Sequence, residues 1–517
     1  MGLDRPIDIT ADQKKTLLAL IKRHLQNTTA WVYGSRVKWT ARPQSDLDLV
    51  VFTKPEQERR VSDLREAFEE SNLPFRVDLF VWDAVPEQFR KQIKADYVVL
   101  VEKKKQSAVS EWARKTLGEL TENFDAVRVP IKQAERRPGP YPYYGASGIV
   151  DSIDDYLFNG EYLLIAEDGE NLRTRNTPIA FLAKEKFWVN NHAHIVRGNH
   201  EANTRYLMYA LSELDISGYL TGSTMPKLTQ GNLNQISLVI PPPSEQRAIA
   251  HILSTLDNKI ELNRRMNETL EAMARALFKS WFIDFDPVRA KMAGRDPGLP
   301  QPLADLFPDR LVNSELGPTP EGWEVKTLGE CFNLTMGQSP PGSTYNEQGE
   351  GLPFFQGRTD FGFRYPENRK FCTAPTRVAE PGDTLVSVRA PVGDINMAWE
   401  QCCIGRGIAA LRHKTTATSY SYYFTWTIQS VLREYEQTGT VFGAINKNQF
   451  EALQVLEPDA NSVDAFDSCA RHLDARIRSS IAESLTLTTL RDALLPKLIS
   501  GELRVKNAER LIEEAKS

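Results

Sequence analysis

The chain has 517 residues, 41% hydrophobic and 25% charged, with a net charge of −5, which predicts about three to five domains and excludes a mainly disordered, collagen-like or disulfide-dense chain. The negative charge argues against a protein that coats nucleic acid by bulk charge, while leaving room for a local basic cleft. No apolar run reaches the roughly 18 residues of a membrane span and the opening MGLDRPIDITADQKK is too polar for a secretory signal, so a cytoplasmic, membrane-free location is expected. Five cysteines without C-x-x-C spacing (Cys331, Cys372, Cys402, Cys403, Cys469) suit reduced thiols, with Cys402 and Cys403 buried in a strand.

In chain order, residues 1–102 read as a compact α/β unit: a helix over 10–26, a strand over 30–33, Gly34-Ser35, a strand over 46–52, a charged helix, and a strand over 75–80. Residues two apart on a strand share a face, so Asp46 and Asp48 project together while Leu47 and Leu49 face the core, with Asp78 on a neighbouring strand. Three carboxylates on one face call for a hard divalent cation with phosphate, and Gly34-Ser35 at the turn would let backbone amides cradle a triphosphate. Lys103-Lys104-Lys105 opens a linker over 103–109.

Residues 110–242 are rich in glycine, proline and aromatics, as expected for mixed strands and loops, and end at Pro241-Pro242-Pro243. A helix is expected over 243–290, with a seam at Ile249, Leu253, Leu256, Ile260, Leu270 and Leu277 and with Asn263 and Asn267 in the same register. After a linker over 291–320, residues 321–458 form a second strand-and-loop module. A second helix over 459–510 has its seam at Phe466, Ala470, Leu473, Ile477, Ser480, Ser484, Leu487 and Leu494.

The two halves are one repeated unit. Trp112-Ala-Arg-Lys-Thr-Leu-Gly-Glu119 returns as Trp323-Glu-Val-Lys-Thr-Leu-Gly-Glu330 at an offset of 211. Thr221-Gly222, Pro241 and Leu256-Asp257-x-x-Ile260 return at Thr438-Gly439, Pro458 and Leu473-Asp474-x-x-Ile477 at an offset of 217. Matching seams, interrupted by polar residues at the same two places, predict that the helices pair as a coiled coil about 50 Å long, a ruler between two modules.

Over 108–503 these motifs resemble the specificity subunits of type I restriction-modification systems. The resemblance rests on the duplicated opening, the exit P-P-P-S-E-Q-R, the segment Ala276-Leu277-Phe278-Lys279-Ser280-Trp281-Phe282, and the closing Leu494-Leu495-Pro496-Lys497-Leu498-Ile499-Ser500-Gly501; the second exit, Glu457-Pro458-Asp459, departs from the pattern. It implies an α/β multidomain chain with two target recognition domains, each reading half of a split double-stranded DNA site. The long helices would pair as an antiparallel coiled coil that binds methylation subunits, with restriction subunits joining them. S-adenosylmethionine and ATP would reside on those partners, since the chain has neither a G-x-x-x-x-G-K-[ST] loop nor an N-P-P-[YF] motif.

Arg or Lys suits guanine and Asn or Gln suits adenine, so the candidate DNA contacts are Lys227 and Gln230 in the first module and Gln338, Arg358, Arg389, Arg406 and Lys447 in the second. Tyr143 and Tyr144 are either base contacts or core. His192, His194 and His200 lack metal-ligand spacing with any cysteine or carboxylate, and no metal is expected there.

The first hundred residues resemble the minimal nucleotidyltransferases of the polymerase beta superfamily, through Gly34-Ser35, D-x-D at Asp46 and Asp48, and a third aspartate, Asp78. By that resemblance the three aspartates hold Mg²⁺, Gly34 and Ser35 hold a nucleoside triphosphate, and Asp78 activates the acceptor hydroxyl. Trp39 stands where the family has glycine. Three functions follow: a DNA-recognition subunit with an appended domain; a nucleotidyltransferase acting on a nucleotide, RNA or protein that docks on DNA through the repeats; or an antitoxin or scaffold whose amino-terminal domain only binds a partner.

Overall fold

The computed structural model describes residues 7–25, 28–42, 44–53, 57–101, 112–222, 224–436 and 443–505. The 103–109 linker, Thr438-Gly439 and residues 506–510 of the expected second long helix lie outside them, and that helix ends at Ile499, short of the expected 510. The chain divides into one unit of Met1–Leu253 with Asp492–Ser517 and another of Ser254–Arg491.

In the first unit, the amino-terminal domain runs α1 (Ala11–His24), β1 (Thr29–Tyr33), β2 (Leu47–Phe52), α2 (Glu58–Glu69), β3 (Val77–Val81), α3 (Glu87–Ala95) and β4 (Tyr97–Val101). Thr10 caps α1 in a capping box with Gln13, which fixes its start. The sheet order is β3-β2-β1-β4, with β2 and β3 parallel and β1 antiparallel to both β2 and β4. The alternation expected of β2 is present. Leu47, Leu49 and Val51 enter the core with Leu17 and Ile21 of α1 and Val61, Leu64 and Phe68 of α2. Val50 and Phe52 turn to the other face, against Trp31, Tyr33, Trp82, Val85 and Ile93.

The structure explains the T-L-G-E core of the duplicated opening motif. Ala113–Thr116 pairs antiparallel with Ser237–Ile240 in the first unit, as Glu324–Thr327 pairs with Gln454–Glu457 in the second. Each Thr then begins a one-turn helix, and the Glu three residues on reaches back to the Thr backbone N–H at 2.7 Å in both copies. Leu117 and Leu328 are fully buried. The glycines mark where this turn touches the module's last short helix: a Cβ on Gly118 would lie 3.0 Å from Asn234 Cβ, and one on Gly329 3.0 Å from Glu451 Cβ. The exit motif is structural too. Buried Gln246 accepts from Asn203 N at 2.8 Å and donates to Pro241 O and Glu201 O, both at 2.9 Å.

The long helices span Pro243–Phe282 and Ala460–Ile499. Within the second unit their side chains meet in opposite order. Asp257 pairs with Arg491 at 2.9 Å, Lys259 with Glu483 at 3.0 Å, and Arg476 Nη2 lies 3.9 Å from Met266 Sδ. The polar breaks in the two seams find each other: fully buried Asn263 donates to Ser480 O at 3.3 Å and Ser484 Oγ at 3.2 Å.

The second module has a four-stranded sheet, Phe332–Met336, Ile408–His413, Thr384–Ser387 and Ile395–Met397 in spatial order, beside a five-stranded sheet that holds Cys402 and Cys403, both buried. All five cysteines are free thiols. The segment expected as a 291–320 linker is packed: it carries a hairpin, Leu311–Ser314 with Gly317–Pro320, and buries Phe307 edge-on against Trp281 at 5.2 Å. Among the described residues, no helix is long and apolar enough to cross a membrane.

Candidate functional site

Three sites carry the residues singled out by sequence. In the amino-terminal domain, Asp48 and Asp78 stand in register on the parallel strands β2 and β3, and Tyr33 is opposite Asp48 on β1. Asp46 lies exposed just before β2. Gly34 follows β1 with φ +82°, and a Cβ there would fall 2.1 Å from Asp48 Oδ2, so only glycine leaves the loop and carboxylate room to touch. Burial, then Asp78, then Asp46 push the Asp48 carboxyl above its ordinary value. Burial, then Asp48, then Asp78 raise the Tyr33 phenol.

A divalent cation would relieve this repulsion, so the donor set fits a metal–nucleotide ligand in kind. Among the described residues, however, no three such groups surround one point; Asp78 is drawn to Arg76 at 3.2 Å and Asp46 stands apart. Trp39, which stands where the family has glycine, has φ +58° and is 59% exposed. The loop thus makes a left-handed turn at a side chain that disfavours it.

Sequence reading missed Arg36. It is buried, donates to Asp8 O at 2.8 Å and to Ser45 O at 2.7 and 3.1 Å, and lies 4.0 Å from the Phe75 ring centre. One guanidinium therefore ties together the segments that lead to Gly34, Asp46 and Asp78.

In the first module, three loops meet through Glu167 N to His192 O (2.9 Å), Leu228 N to Glu167 O (2.8 Å) and Gly169 N to Pro226 O (3.2 Å). Lys227 is half exposed and 3.3 Å from Glu167; Gln230 is exposed at the first turn of a helix capped by Thr229. His192 beside them holds Asp168 at 2.9 Å. His194 is buried between Asp125 (2.6 Å) and Leu228 O (2.7 Å). Burial raises the Asp125 carboxyl, but the hydrogen bond and charge of His194, with Ile195 N–H and Arg128, hold it below its ordinary value.

The tyrosine pair belongs to the core. Tyr143 has no exposed surface and its hydroxyl accepts from Ile131 N at 3.0 Å, so no base reaches it. Tyr144 packs on Phe181 and Phe187.

In the second module the candidates gather at one end of one sheet. Gln338, Arg389 and Arg406 each lie two residues beyond the paired ends of Phe332–Met336, Thr384–Ser387 and Ile408–His413. Glycines let these backbones touch. Gly337 N donates to Ile408 O (2.9 Å), Gln338 N to Ile404 O (3.0 Å), Gly407 N to Gln356 O (3.1 Å) and Val388 N to Gly407 O (2.9 Å). The segment leading to Lys447 joins through Ile445 N to Val388 O at 3.1 Å, and Arg358 follows Gly357 at the same junction. Gln338, Arg358, Arg389, Arg406 and Lys447 are all exposed. Arg358 is paired with Asp394 at 2.5 Å and Lys447 with Glu451 at 3.4 Å. Ser339 is the hub that sequence reading missed: its hydroxyl accepts from Gln356 Nε2 at 3.1 Å and from Arg406 N at 3.4 Å, bringing exposed Gln356 into the group.

The type I restriction modification DNA specificity domain family matches residues 109–272 and 320–465, more than half of the chain. The chain belongs to this family. It is a specificity subunit with two recognition domains. Residues 15–106 match the polymerase beta nucleotidyltransferase family.

The specificity region is similar to a Methanocaldococcus jannaschii protein named as the type I restriction enzyme MjaX specificity subunit, with 32% identity over 312 residues, 58% of this chain and 68% of the relative. The amino-terminal domain is similar to a Haemophilus influenzae protein named as the protein adenylyltransferase MntA, with 39% identity over 100 residues, 19% of this chain and 88% of the relative. The fold is that of a solved type I specificity subunit from M. genitalium, with a TM-score of 0.53 and 17% identity over 75% of this chain and 96% of that one.

Proposed function

We propose that this specificity subunit reads a bipartite double-stranded DNA target, one half-site with residues 110–242 and the other with 321–458, and recruits methylation and restriction subunits to it. The observation that carries the reading is the contrast within the repeat. The opening strand, capped turn and closing strand are duplicated, while the exposed polar edges differ: His192, Lys227 and Gln230 in one, Gln338, Gln356, Arg358, Arg389, Arg406 and Lys447 in the other. Two different readers on one scaffold address an asymmetric two-part site. The long helices serve as an antiparallel coiled coil that spaces the readers. Support comes from the opposite order of their contacts and from the match of Asn263 to Ser480 and Ser484.

The amino-terminal domain adds a nucleotidyltransferase site. Asp46, Asp48 and Asp78, once Asp78 parts from Arg76, would hold Mg²⁺, and Gly34 and Ser35 would hold a nucleoside triphosphate, the metal supplying charge neutralisation at phosphate. Asp78 accepts the proton of an acceptor hydroxyl. The likeness to a named protein adenylyltransferase favours a protein acceptor and keeps alive the reading in which transfer is the main activity and the repeats dock it on DNA.

Cells carrying the chain with its methylation subunits test the proposal when methylated bases are mapped across the genome, with wild type compared to Asp46→Ala/Asp48→Ala. A two-part methylated motif that persists in the variant is expected. Absence of any motif would overturn the recognition reading, and loss of the motif in the variant alone would make the amino-terminal site essential to it.

A further inference from the structure

Arg364 has no accessible surface. It sits in a second-module loop closed by the Phe361–Pro366 bridge, and Met397 N donates to its carbonyl at 2.9 Å, so the loop is tied to the sheet. Its guanidinium leaves the module. Nη2 donates to Asp474 Oδ1 at 2.5 Å, and Nη1 donates to Glu271 Oε2 at 3.4 Å and to Tyr423 Oη at 3.2 Å. The guanidinium carbon lies 3.5 Å from the Tyr422 ring centre, and Tyr423 Oη itself donates to Asp474 Oδ1 at 2.7 Å. Glu271 belongs to the helix Pro243–Phe282 and Asp474 to Ala460–Ile499. One side chain therefore joins the module to both long helices.

Two further contacts continue the line along the second helix. Asp467 accepts from Ser419 N (2.8 Å) and Tyr420 N (3.2 Å), and Arg478 donates to Trp399 O (3.0 Å) while stacking on the Trp399 ring. Positions 467, 474 and 478 fall on one helical face.

A buried ion cluster is a poor source of net stability compared with apolar packing, yet breaking one partner leaves an uncompensated buried charge. Arg also imposes a planar, directional geometry that Lys does not. If the module slid or turned on the helices, Arg364 and Asp474 would lose each other in a dry environment, and Glu271 would keep only Arg275 of its own helix. The cluster therefore selects one register among the packings that the apolar contacts allow.

We propose that Arg364 is the positioning residue that locks the second recognition domain in one register on the two long helices, and thereby sets the number of unread base pairs between the half-sites. This rests on the bipartite reading above. Successive base pairs are about 3.4 Å apart along a strand, so a domain shift of that size is enough to move its contacts to the next spacing.

The test uses the full chain in complex with its methylation subunits, with genome-wide maps of methylated bases and melting curves for wild type, Arg364→Lys, and Arg364→Met/Glu271→Gln/Asp474→Asn. The triple variant removes the three charges together, and Arg275, which also pairs with Glu271, keeps its place over the Trp426 ring. Both half-site sequences are expected to stay unchanged. Sites with a spacer one base pair longer or shorter are expected to rise from background to within about tenfold of the original, because the register gap shrinks to roughly one bond's worth of free energy.

A folded variant that still methylates a single spacer length at wild-type efficiency overturns the proposal. So does a change of base identity in the second half-site, which would make Arg364 part of reading rather than positioning. If the triple variant does not fold, Arg364→Lys decides on the same two outcomes. A wild-type map with no two-part motif is a different failure: it removes the bipartite reading and this inference with it.

Discussion

Gly337→Ala is the sharpest probe of the second reading edge. An added Cβ would lie 2.2 Å from Gly405 O, 2.7 Å from Ile408 O and 2.8 Å from Ile404 O, all backbone atoms that no rotamer change can move. Ordinary contact begins near 3.4 Å, so the strands must part by roughly 1 Å, as a close-packed interior offers no slack. That stretches the Gly337 N–Ile408 O and Gln338 N–Ile404 O bonds, now 2.9 and 3.0 Å, beyond hydrogen-bond range. It also moves Gln338 and Ser339 away from Arg406 and Gln356. Loss of one bidentate base contact costs about 1–3 kcal/mol, so target affinity should fall about 5- to 150-fold.

The assay is fluorescence anisotropy of the subunit–methylase complex on its target duplex and on a duplex with the second half-site scrambled. Gly342→Ala, where an added Cβ meets nothing within 4 Å, is the control and should leave affinity unchanged. Wild-type affinity for the target in folded Gly337→Ala would refute the reasoning, as would an equal loss on both duplexes.

Three other outcomes follow from the structure. The Asp48 carboxyl is raised, so the native state holds its proton more tightly than the unfolded chain, and stability falls as pH climbs through the window that starts at the ordinary value of 3.8. At neutral pH without metal, Asp48→Asn should therefore raise the melting temperature while abolishing Mg²⁺-dependent nucleotide binding; a lower melting temperature would contradict the repulsion. Trp39→Gly should be more stable than Trp39→Ala by about 1 kcal/mol in urea melts, because only glycine takes a positive φ without penalty, and equal stabilities would remove the strain argument. Asn263→Ala should cost about 1 kcal/mol, since it removes the buried hydrogen bonds to Ser480 O and the Glu483 carboxylate while Ser484 and Lys259 still serve those acceptors; an unchanged melt would show that the polar breaks contribute nothing to helix pairing.

Local pattern was legible in the sequence where it reports local physics. Alternation in Leu47-Asp48-Leu49 gave the faces of β2, and the recurrence of T-L-G-E marked a unit whose capping boxes and close glycine contacts appear in the structure. The polar breaks at Asn263 and at Ser480 and Ser484 were visible as matched interruptions and prove to be partners. Long-range burial was not legible. Arg364 reads as a surface arginine because its partners lie 93 and 110 residues away. Gln356 and Ser339 join the second edge only because glycines at 337, 405 and 407 let distant backbones touch. Tyr143 carries the same letters whether it faces a base or a core. The 291–320 segment looked like a linker because its anchoring residue, Phe307, is a single aromatic without periodicity.

The central claim is that each recognition domain reads its own half of a two-part target. It is tested most directly by mapping methylated bases in cells that carry the methylation subunits with either the wild-type chain or Gln338→Ala/Arg406→Ala. A two-part motif in which only one half loses or changes its bases in the variant is the predicted result. A change in both halves, or a wild-type motif without two parts, would contradict the account.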